Sequence, residues 1–353
     1  MLRQSLKIRL LSAKTCQMFP HIRRHFAQKS SSPDSATLLP QQAVEDSVRE
    51  AIQSKAYQDL PELVSSSRDS WKKKNPFEFL STFPSDDRDK IIDEILQAFI
   101  PLRPRSRPGP AYTCLLSYTL HSSNPLPASL AILQRTLRSG LLPVPQTYVL
   151  LSSAWLRRRR DSQSASTLLK EMKAFKYQPD CGTCNYLISS LCTVDEVAEA
   201  VKVLNSMDKA GCAPDSESYG TVIDAMCSFG KTTDALQMMK EMVMNMKLTP
   251  KQGTMKKLAA ALRANRESWR AVEFIEFLER EGCHAEFETY ELVVEGCVES
   301  KEFVLGAKAV MKMTTKGFIP YIRIRQKLVE GLTSVGESEL AFAVRRRFAE
   351  LGS

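Results

Sequence analysis

The sequence predicts an all-α protein, a right-handed superhelical α-solenoid of about seven helix-turn-helix repeats of 35–36 residues. Three kinds of residue return in step and support this prediction. The proline series is Pro108, Pro143, Pro179, Pro214, Pro250 and Pro320, with Ala285 in the remaining slot. The alanine series is Ala165, Ala200, Ala235, Ala271, Ala307 and Ala341. The glycine series is Gly140, Gly211, Gly282, Gly317 and Gly352.

Each repeat is predicted to contain two helices. The first helix follows a Thr or Ser whose hydroxyl can cap the N–H groups of the first turn, and its apolar residues have helical spacing. The expected caps are Thr147, Thr183, Ser218, Thr254 and Thr289. The second helix begins near the alanine and ends at glycine or before proline. Such short helices are marginal alone, so the pairs are expected to stack into a solenoid with two long surfaces, one of them concave.

The repeat array is predicted over 110–353. Its units are 110–144, 145–180, 181–215, 216–251, 252–286, 287–321 and a truncated 322–351. Residues 75–109 also span one period and predict a degenerate capping repeat. The segment 27–74 is expected to be a Ser-rich linker followed by an N-terminal helical segment.

The first 26 residues are predicted to be a mitochondrial transit peptide. Residues 1–33 contain seven basic side chains and no Asp or Glu, with leucines interleaved, which is typical of a transit peptide and not of a secretory signal. Arg24 stands three residues before a cut after Phe26, as in a mitochondrial processing site. Mitochondrion is expected ahead of plastid because Arg outweighs Ser before residue 28. A disordered basic tail is the alternative.

The bulk composition is that of a soluble folded protein, with 43% hydrophobic and 25% charged residues. No apolar run approaches the roughly 18 residues of a membrane span, so no membrane partner is expected. The net charge of +9 comes from 49 basic and 40 acidic residues. Six of the basic residues and none of the acidic ones lie in 1–26, so the remainder has only +3 and does not itself identify a nucleic-acid partner.

Two segments, 179–188 and 214–227, resemble the pentatricopeptide repeat family, and the plain 35–36-residue units resemble its P-type subgroup. Tetratricopeptide repeats use 34 residues and a phased Trp, whereas the three Trp here share no phase. The resemblance implies an organelle-targeted, plant-like protein that binds single-stranded RNA, with each repeat offering one base a few side chains. It implies a role in RNA stabilisation, processing or translation, without catalysis.

In that family, base choice depends on two base-reading positions: the residue after the Tyr-like position of the first helix, and the last residue of the repeat. In unit 181–215 these are Asn185 and Asp215, a pairing that the family associates with uracil. The Asn amide both donates and accepts, and the carboxylate can fix its orientation.

The other units hold different residues at the two positions. The pairs are Cys114 with Val144, Val149 with Asp180, Gly220 with Lys251, Lys256 with Glu286, and Glu291 with Tyr321. Of these, the resemblance gives Val149, Asp180, Gly220, Lys251 and Lys256 as further RNA-binding candidates. Carboxylates at Glu217, Glu288 and Glu291 are expected to oppose a phosphate backbone.

The densest charge run outside the presequence is Arg157–Arg160, and the Arg103, Arg105, Arg107 and Arg345–Arg347 groups are weaker. Such a run is either a solvated face or a phosphate contact, and Arg157 is a candidate RNA-binding residue on the second interpretation.

Catalytic and metal-binding motifs are not found. Cys181 and Cys184 form a single CxxC without a second pair or a His at finger spacing. Phased cysteines predict small packing residues in a reducing compartment. With no phosphate-binding loop, triad or carboxylate cluster, neither an enzyme nor a cofactor is expected.

Two functions remain open. The first is a non-catalytic protein that binds single-stranded organellar RNA. The second is a protein-binding helical scaffold in a mitochondrial ribosomal or assembly complex. The expected partners are organellar RNA and organellar ribosomal or RNA-processing proteins, and the chain is expected to be a monomer.

Overall fold

The computed structural model describes residues 41–66, 74–160 and 164–352. These residues lie in helices or in the turns and short loops between them, and none of them lies in a β-strand. The predicted all-α repeat class is therefore confirmed. The predicted transit peptide, its processing site and the Ser-rich part of the linker lie outside the described residues. No helix in the described part of the chain is long and apolar enough to cross a bilayer.

The chain divides into two compact units, Met1–Ala213 and Pro214–Ser353. The helices of the first unit are α1 Gln41–Gln53, α2 Leu60–Ser65, α3 Ser85–Ala98, α4 Gly109–Leu120, α5 Leu126–Arg138, α6 Gln146–Arg160, α7 Ala165–Lys170, α8 Cys181–Thr193, α9 Val197–Leu204 and α10 Met207–Ala210. Short 3-10 helices lie at Tyr57–Asp59, at Glu78–Thr82 and, continuing α7, at Glu171–Phe175. The helices of the second unit are α11 Ser216–Ser228, α12 Thr232–Lys240 with a π-helical continuation Glu241–Asn245, α13 Gln252–Ala264, α14 Ser268–Arg280, α15 Phe287–Glu299, α16 Phe303–Thr315, α17 Ile322–Ser334 and α18 Ser338–Gly352.

In the first unit, the first helices of successive repeats pack directly on each other. Helix α4 contacts α6, and α6 contacts α8. The second helix α5 packs on α4 and on the 3-10 segment after α7. Tyr112, Leu130, Trp155 and Leu187 are completely buried between these layers, so the core is continuous from one repeat to the next.

The second unit contains four regular helix pairs. Each pair is joined by a tight turn in which one residue takes a left-handed conformation: Gly230, Arg266, Lys301 or Gly336, with φ between +57° and +86°. Helix α13 contacts both α11 and α15, and α15 contacts α17. The first helices therefore form a layer of their own within this unit.

The phased alanine marks the closest approach between second helices and their neighbours. It is the fourth residue of α12 and α14, where Ala235 and Ala271 are buried. In α16 the fourth residue is Gly306, one position before Ala307 of the predicted series. A Cβ at Gly306 would lie 2.9 Å from Leu328 Cδ1 and 3.3 Å from Cys297 Cβ, so only a small residue fits this position.

The predicted Thr and Ser caps are wrong by two to three residues. These side chains lie inside the first turn and are buried: Thr147, Thr183, Ser218, Thr254 and Thr289. The residue before the helix is the cap in α8 and α11, where it is Asp180 and Asp215. A carboxylate is a stronger acceptor for the N–H groups of the first turn than a hydroxyl.

Candidate nucleic-acid interface

The predicted base-reading residues occupy one structural position in four neighbouring repeats. Asn185, Gly220, Lys256 and Glu291 are each the fifth residue of a first helix, in α8, α11, α13 and α15. Because the first helices pack side by side within each unit, equivalent residues recur at regular intervals along that layer. The second base-reading position directly precedes the next first helix, so it is also the N-cap position.

Asn185 and Asp180 lie in the first unit. Asn185 is half-buried on α8, between the buried side chains of Cys184 and Tyr186. Asp180 caps α8: its Oδ1 accepts hydrogen bonds from the Thr183 amide at 3.0 Å and from the Thr183 hydroxyl at 2.7 Å. Arg138 from the end of α5 donates to Oδ2 from Nε at 3.0 Å and from Nη2 at 2.8 Å.

These donors fix the charge of Asp180. Burial alone would raise the pKa of the carboxyl, but the hydrogen bonds from Thr183 and Arg138 hold it below its ordinary value. The carboxylate is therefore ionised and its orientation is fixed at neutral pH. Arg138 was not singled out in the sequence, because its partner lies 42 residues further along the chain.

Asp215 lies in the second unit and forms a capping box with α11. Its Oδ1 accepts from the Glu217 amide at 3.0 Å and from the Ser218 amide at 2.9 Å. Ser218 Oγ in turn accepts from the Asp215 amide at 3.1 Å. The side chain is thus oriented by its own helix, and the same carboxylate that the family motif assigns to base choice also begins the repeat.

Val149 lies half-buried on α6 beside a pair of tyrosines. The rings of Tyr148 and Tyr186 stack with centroids 4.7 Å apart and an interplanar angle of 9°. Burial raises the pKa of the Tyr148 hydroxyl. The pair locks α6 against α8, and Val149 itself offers only apolar contact at its position.

Gly220 offers no side chain, and the space around it is limited. The residue is buried, and a Cβ built on it would lie 3.1 Å from Thr254 Oγ1 of the adjacent first helix. The repeat 216–251 therefore has no polar group at its first base-reading position. Its second position, Lys251, is exposed.

The lysines at the base-reading positions of the second unit are paired with carboxylates of neighbouring first helices. Lys251 forms an ion pair with Glu217, and Lys256 forms one with Glu288. Two further pairs, Lys257 with Asp224 and Arg263 with Glu295 and Glu299, continue the series, which we call the second-unit ladder. Each pair joins neighbouring first helices or the residue that precedes one, so the sequence signal is opposite charges 32–36 residues apart.

The ladder changes the expected effect of the acidic residues. Glu217 and Glu288 were expected to oppose a phosphate backbone, but each is compensated by a lysine. Glu291 is only 5% exposed, so it does not face solvent as expected. Its Oε1 accepts from the Tyr321 amide at 3.2 Å, and desolvation raises the pKa of its carboxyl. Glu291 thus links α15 to the start of α17.

The arginine run at the end of α6 is partly structural. Arg158 pairs with Glu171 at 2.8 Å, and Arg159 pairs with Glu199 at 3.0 Å. Glu171 lies in the 3-10 helix after α7 and Glu199 lies in α9, and both segments belong to the first compact unit. Arg157 and Arg160 are exposed, so Arg157 remains accessible to a ligand.

Most cysteines of the described residues are buried packing groups. The described residues contain no group of three or more side chains placed to hold a metal ion. Cys184 is completely buried, and a hydrogen bond with Cys212 together with burial raises the pKa of its thiol. Cys181 donates to the Ala213 carbonyl at 3.0 Å. The Cys184 thiol is therefore a protonated packing group at neutral pH.

The chain is similar to known repeat proteins. A model described as the PPR repeat family matches residues 179–228, and one described as PPR repeat matches residues 217–245. A pentatricopeptide repeat-containing protein of Arabidopsis thaliana is 52% identical over 337 residues, which cover 94% of this chain and 98% of that protein. A second Arabidopsis thaliana pentatricopeptide repeat-containing protein is 40% identical over 63 residues, which cover 18% of this chain and 13% of its own length.

Solved structures of the pentatricopeptide repeat protein PPR10 are also similar. The crystal structure of PPR10 from maize has 13% identity and a TM-score of 0.39, and the match covers 89% of this chain and 55% of that chain. PPR10 in complex with an 18-nt psaJ RNA element has 14% identity and a TM-score of 0.34, with 91% and 49% covered. This chain therefore spans about half of the length of PPR10.

Proposed function

The chain belongs to the pentatricopeptide repeat family of RNA-binding repeat proteins, which are not enzymes, and we propose that it binds single-stranded organellar RNA along the first helices of its repeats. The proposed role is in RNA stabilisation, processing or translation. The observation that supports it best is that the base-reading residues share one position on first helices, which lie side by side within each compact unit. A regular row of side chains suits unstacked bases, one for each repeat.

The repeats contribute unequally in this proposal. Asn185 offers a half-buried amide, and Asp180 and Asp215 offer carboxylates fixed by helix caps. Gly220 has no side chain and Glu291 is buried, so repeats 216–251 and 287–321 add shape and packing instead of base contacts. Sequence preference is therefore expected at few positions, with a uracil preference attributed to Asn185 and Asp215.

The test is a binding measurement on the full-length chain with organellar RNA recovered by crosslinking in vivo. Substitution Asn185→Ala should weaken binding by about 1–3 kcal/mol and relax the preference at one nucleotide. Asn205→Ala is the matched control, because Asn205 is an exposed amide at the end of a second helix. Absence of salt-dependent affinity for any organellar RNA pool would refute the proposal.

A protein-binding scaffold in a mitochondrial ribosomal or assembly complex is the second candidate. Two observations favour it. The ladder pairs Lys251 and Lys256 with carboxylates, and large apolar side chains are exposed on second helices, namely Trp269, Val304 and Phe342. This candidate predicts a stoichiometric protein partner that co-purifies after RNase treatment. Loss of that partner with nuclease would favour the RNA-binding function instead.

Mitochondrial location is part of the proposal and is supported by residues 1–33, which have basic and no acidic side chains. RNA-processing or ribosomal proteins of the organelle are then the neighbouring partners.

A further inference from the structure

An arginine-lined cleft lies in the first unit, beside the ion pair between Arg138 and Asp180. It has a volume of about 390 Å³ and is formed by the end of α3, the loop that follows it and the last turn of α5. Four arginines line it: Arg103, Arg105, Arg135 and Arg138. Only Arg103 and Arg105 form a recognisable group in the sequence, since Arg135 and Arg138 belong to another helix.

The cleft has more positive than negative charge. Asp180 is the one described carboxylate that pairs with a lining arginine, through Arg138 at 2.8 Å. Arg103 donates from Nη1 to the carbonyls of Ile100 at 3.0 Å and Leu102 at 2.9 Å, so its guanidinium is held in place by neutral acceptors. Arg105 is exposed and pairs with no described carboxylate.

Arg135 lines the same cleft and carries one buried donor atom. Its Nε is buried and donates to no acceptor among the described residues. The side chain also makes no ion pair with a described carboxylate, although it lines the cleft beside Arg138. A buried guanidinium donor without an acceptor is costly, and an anionic oxygen is its strongest complement.

The rim of the cleft is apolar on one side. Ile100 is 44% exposed, whereas Phe99 and Leu102 behind it are buried. A guanidinium plane next to an exposed aliphatic side chain suits a ligand that has a phosphate at one end and a flat, less polar body at the other. A nucleotide has this chemistry.

We propose that the arginine-lined cleft binds the phosphate monoester of a nucleotide. A monoester has a charge of about −1.5 to −2 at pH 7, compared with −1 for an internal phosphate of a strand, so it matches a cleft with several cations and one carboxylate. The monoester belongs either to the 5′ end of a bound RNA or to a free nucleotide. The first source rests on the proposed function, and the second does not.

A purely structural role predicts a different outcome. Arg135 and Arg138 lie in the last turn of α5, and Arg103 donates to carbonyls after α3, where cations offset helix C-terminal partial charges. Arg105 has no such role because it is exposed in the loop. Arg107 of the same loop pairs with Glu62 and does not line the cleft. Arg105→Gln and Arg107→Gln are therefore matched variants.

The experiment measures binding of uridine 5′-monophosphate and of uridine to the full-length chain. It also compares a ten-nucleotide oligouridine with and without a 5′ phosphate. The monophosphate should bind and uridine should not, and Arg105→Gln should weaken monophosphate binding roughly tenfold while Arg107→Gln leaves it unchanged. Arg135→Gln is the second variant, with helix content and melting temperature recorded for all three.

The outcomes separate the two proposals. A preference for the 5′-phosphorylated oligonucleotide that Arg105→Gln removes identifies the strand end as the source. Monophosphate binding without that preference identifies a free nucleotide. Monophosphate binding with no binding of either oligonucleotide upholds the cleft with a free nucleotide as its ligand, and titration with organellar RNA pools then decides the RNA-binding proposal separately. The cleft proposal fails if the monophosphate does not bind and the 5′ phosphate has no effect, or if Arg107→Gln and Arg105→Gln act alike.

Discussion

Asp180 and Asp215 each end one predicted repeat and cap the first helix of the next. The sequence motif assigns them to base choice, while the hydrogen bonds show a helix cap that holds the carboxylate in one orientation. The two roles are compatible. A carboxylate that is already held by the helix cap loses little conformational entropy when a ligand binds.

Substitutions at Asp215 separate these roles. Asp215→Ala should destabilise the protein by about 1 kcal/mol because the capping box is lost. Asp215→Asn should leave stability nearly unchanged, since Asn caps about as well as Asp, but it should alter RNA preference at one nucleotide. Thermal unfolding and RNA titration measure the two effects, with Asp208→Ala as an exposed control. Equal destabilisation by both Asp215 substitutions would contradict the assignment.

Some glycines in the second unit lie very close to a side chain of the neighbouring helix. Gly331 is buried in α17, and a Cβ there would lie 2.2 Å from Phe303 Cε1 at the start of α16. Gly253 in the first turn of α13 has nothing within 4 Å of the same position. Substitution by alanine is therefore expected to have opposite effects on stability at the two glycines.

Gly331→Ala should destabilise the chain by about 1–3 kcal/mol, because overpacking outweighs the better helix propensity of alanine. Gly253→Ala should stabilise it by up to about 1 kcal/mol, because only the propensity acts there. Denaturant unfolding measures both. Adding Phe303→Leu should recover part of the loss in Gly331→Ala, and failure to do so would mean that the clash is not with Phe303.

The second-unit ladder is expected to affect RNA affinity more than stability. Its pairs are largely exposed, and exposed ion pairs contribute about 0–1 kcal/mol each. Their main effect is that Lys251 and Lys256 are each paired with a carboxylate of a neighbouring first helix. A phosphate backbone must compete with that carboxylate for the same cation.

Glu288→Gln should therefore strengthen RNA binding and steepen its salt dependence by about one unit of slope, since Lys256 becomes available to a phosphate. Glu276→Gln is the matched control, because Glu276 pairs with Lys308 between second helices. RNA titrations at several salt concentrations measure the slope. Equal slopes for the two variants would show that Lys256 does not contact the strand.

At the scale of the molecule, periodicity predicted the helix pairs well, because each helix is specified by local spacing and turn residues. It predicted the side-chain environments poorly. Glu291 is buried by the neighbouring repeat. Arg105 lines the cleft, whereas Arg107, two residues further on, pairs with Glu62. These environments depend on contacts 30 to 45 residues away, which no local pattern contains.

Much of the net positive charge of the chain lies in its first 26 residues. Deleting residues 1–26 removes six cations and lowers the formal net charge from +9 to +3. The truncated chain should remain cytosolic when expressed as a fluorescent fusion, whereas the full chain should enter mitochondria. RNA affinity of the two purified chains should be similar. Import of the truncated chain would place the targeting information elsewhere.

The capping role of Asp215 limits how such an array can be reprogrammed. A substitution at the residue that ends a repeat also changes the N-cap of the following helix. If the cap is to be kept, the residue should be Asp, Asn, Ser or Thr. Lys251, Glu286 and Tyr321 stand at this position without a side-chain cap. Those three sites can be rewritten with least loss of stability, and a retargeted version of this chain is best begun there.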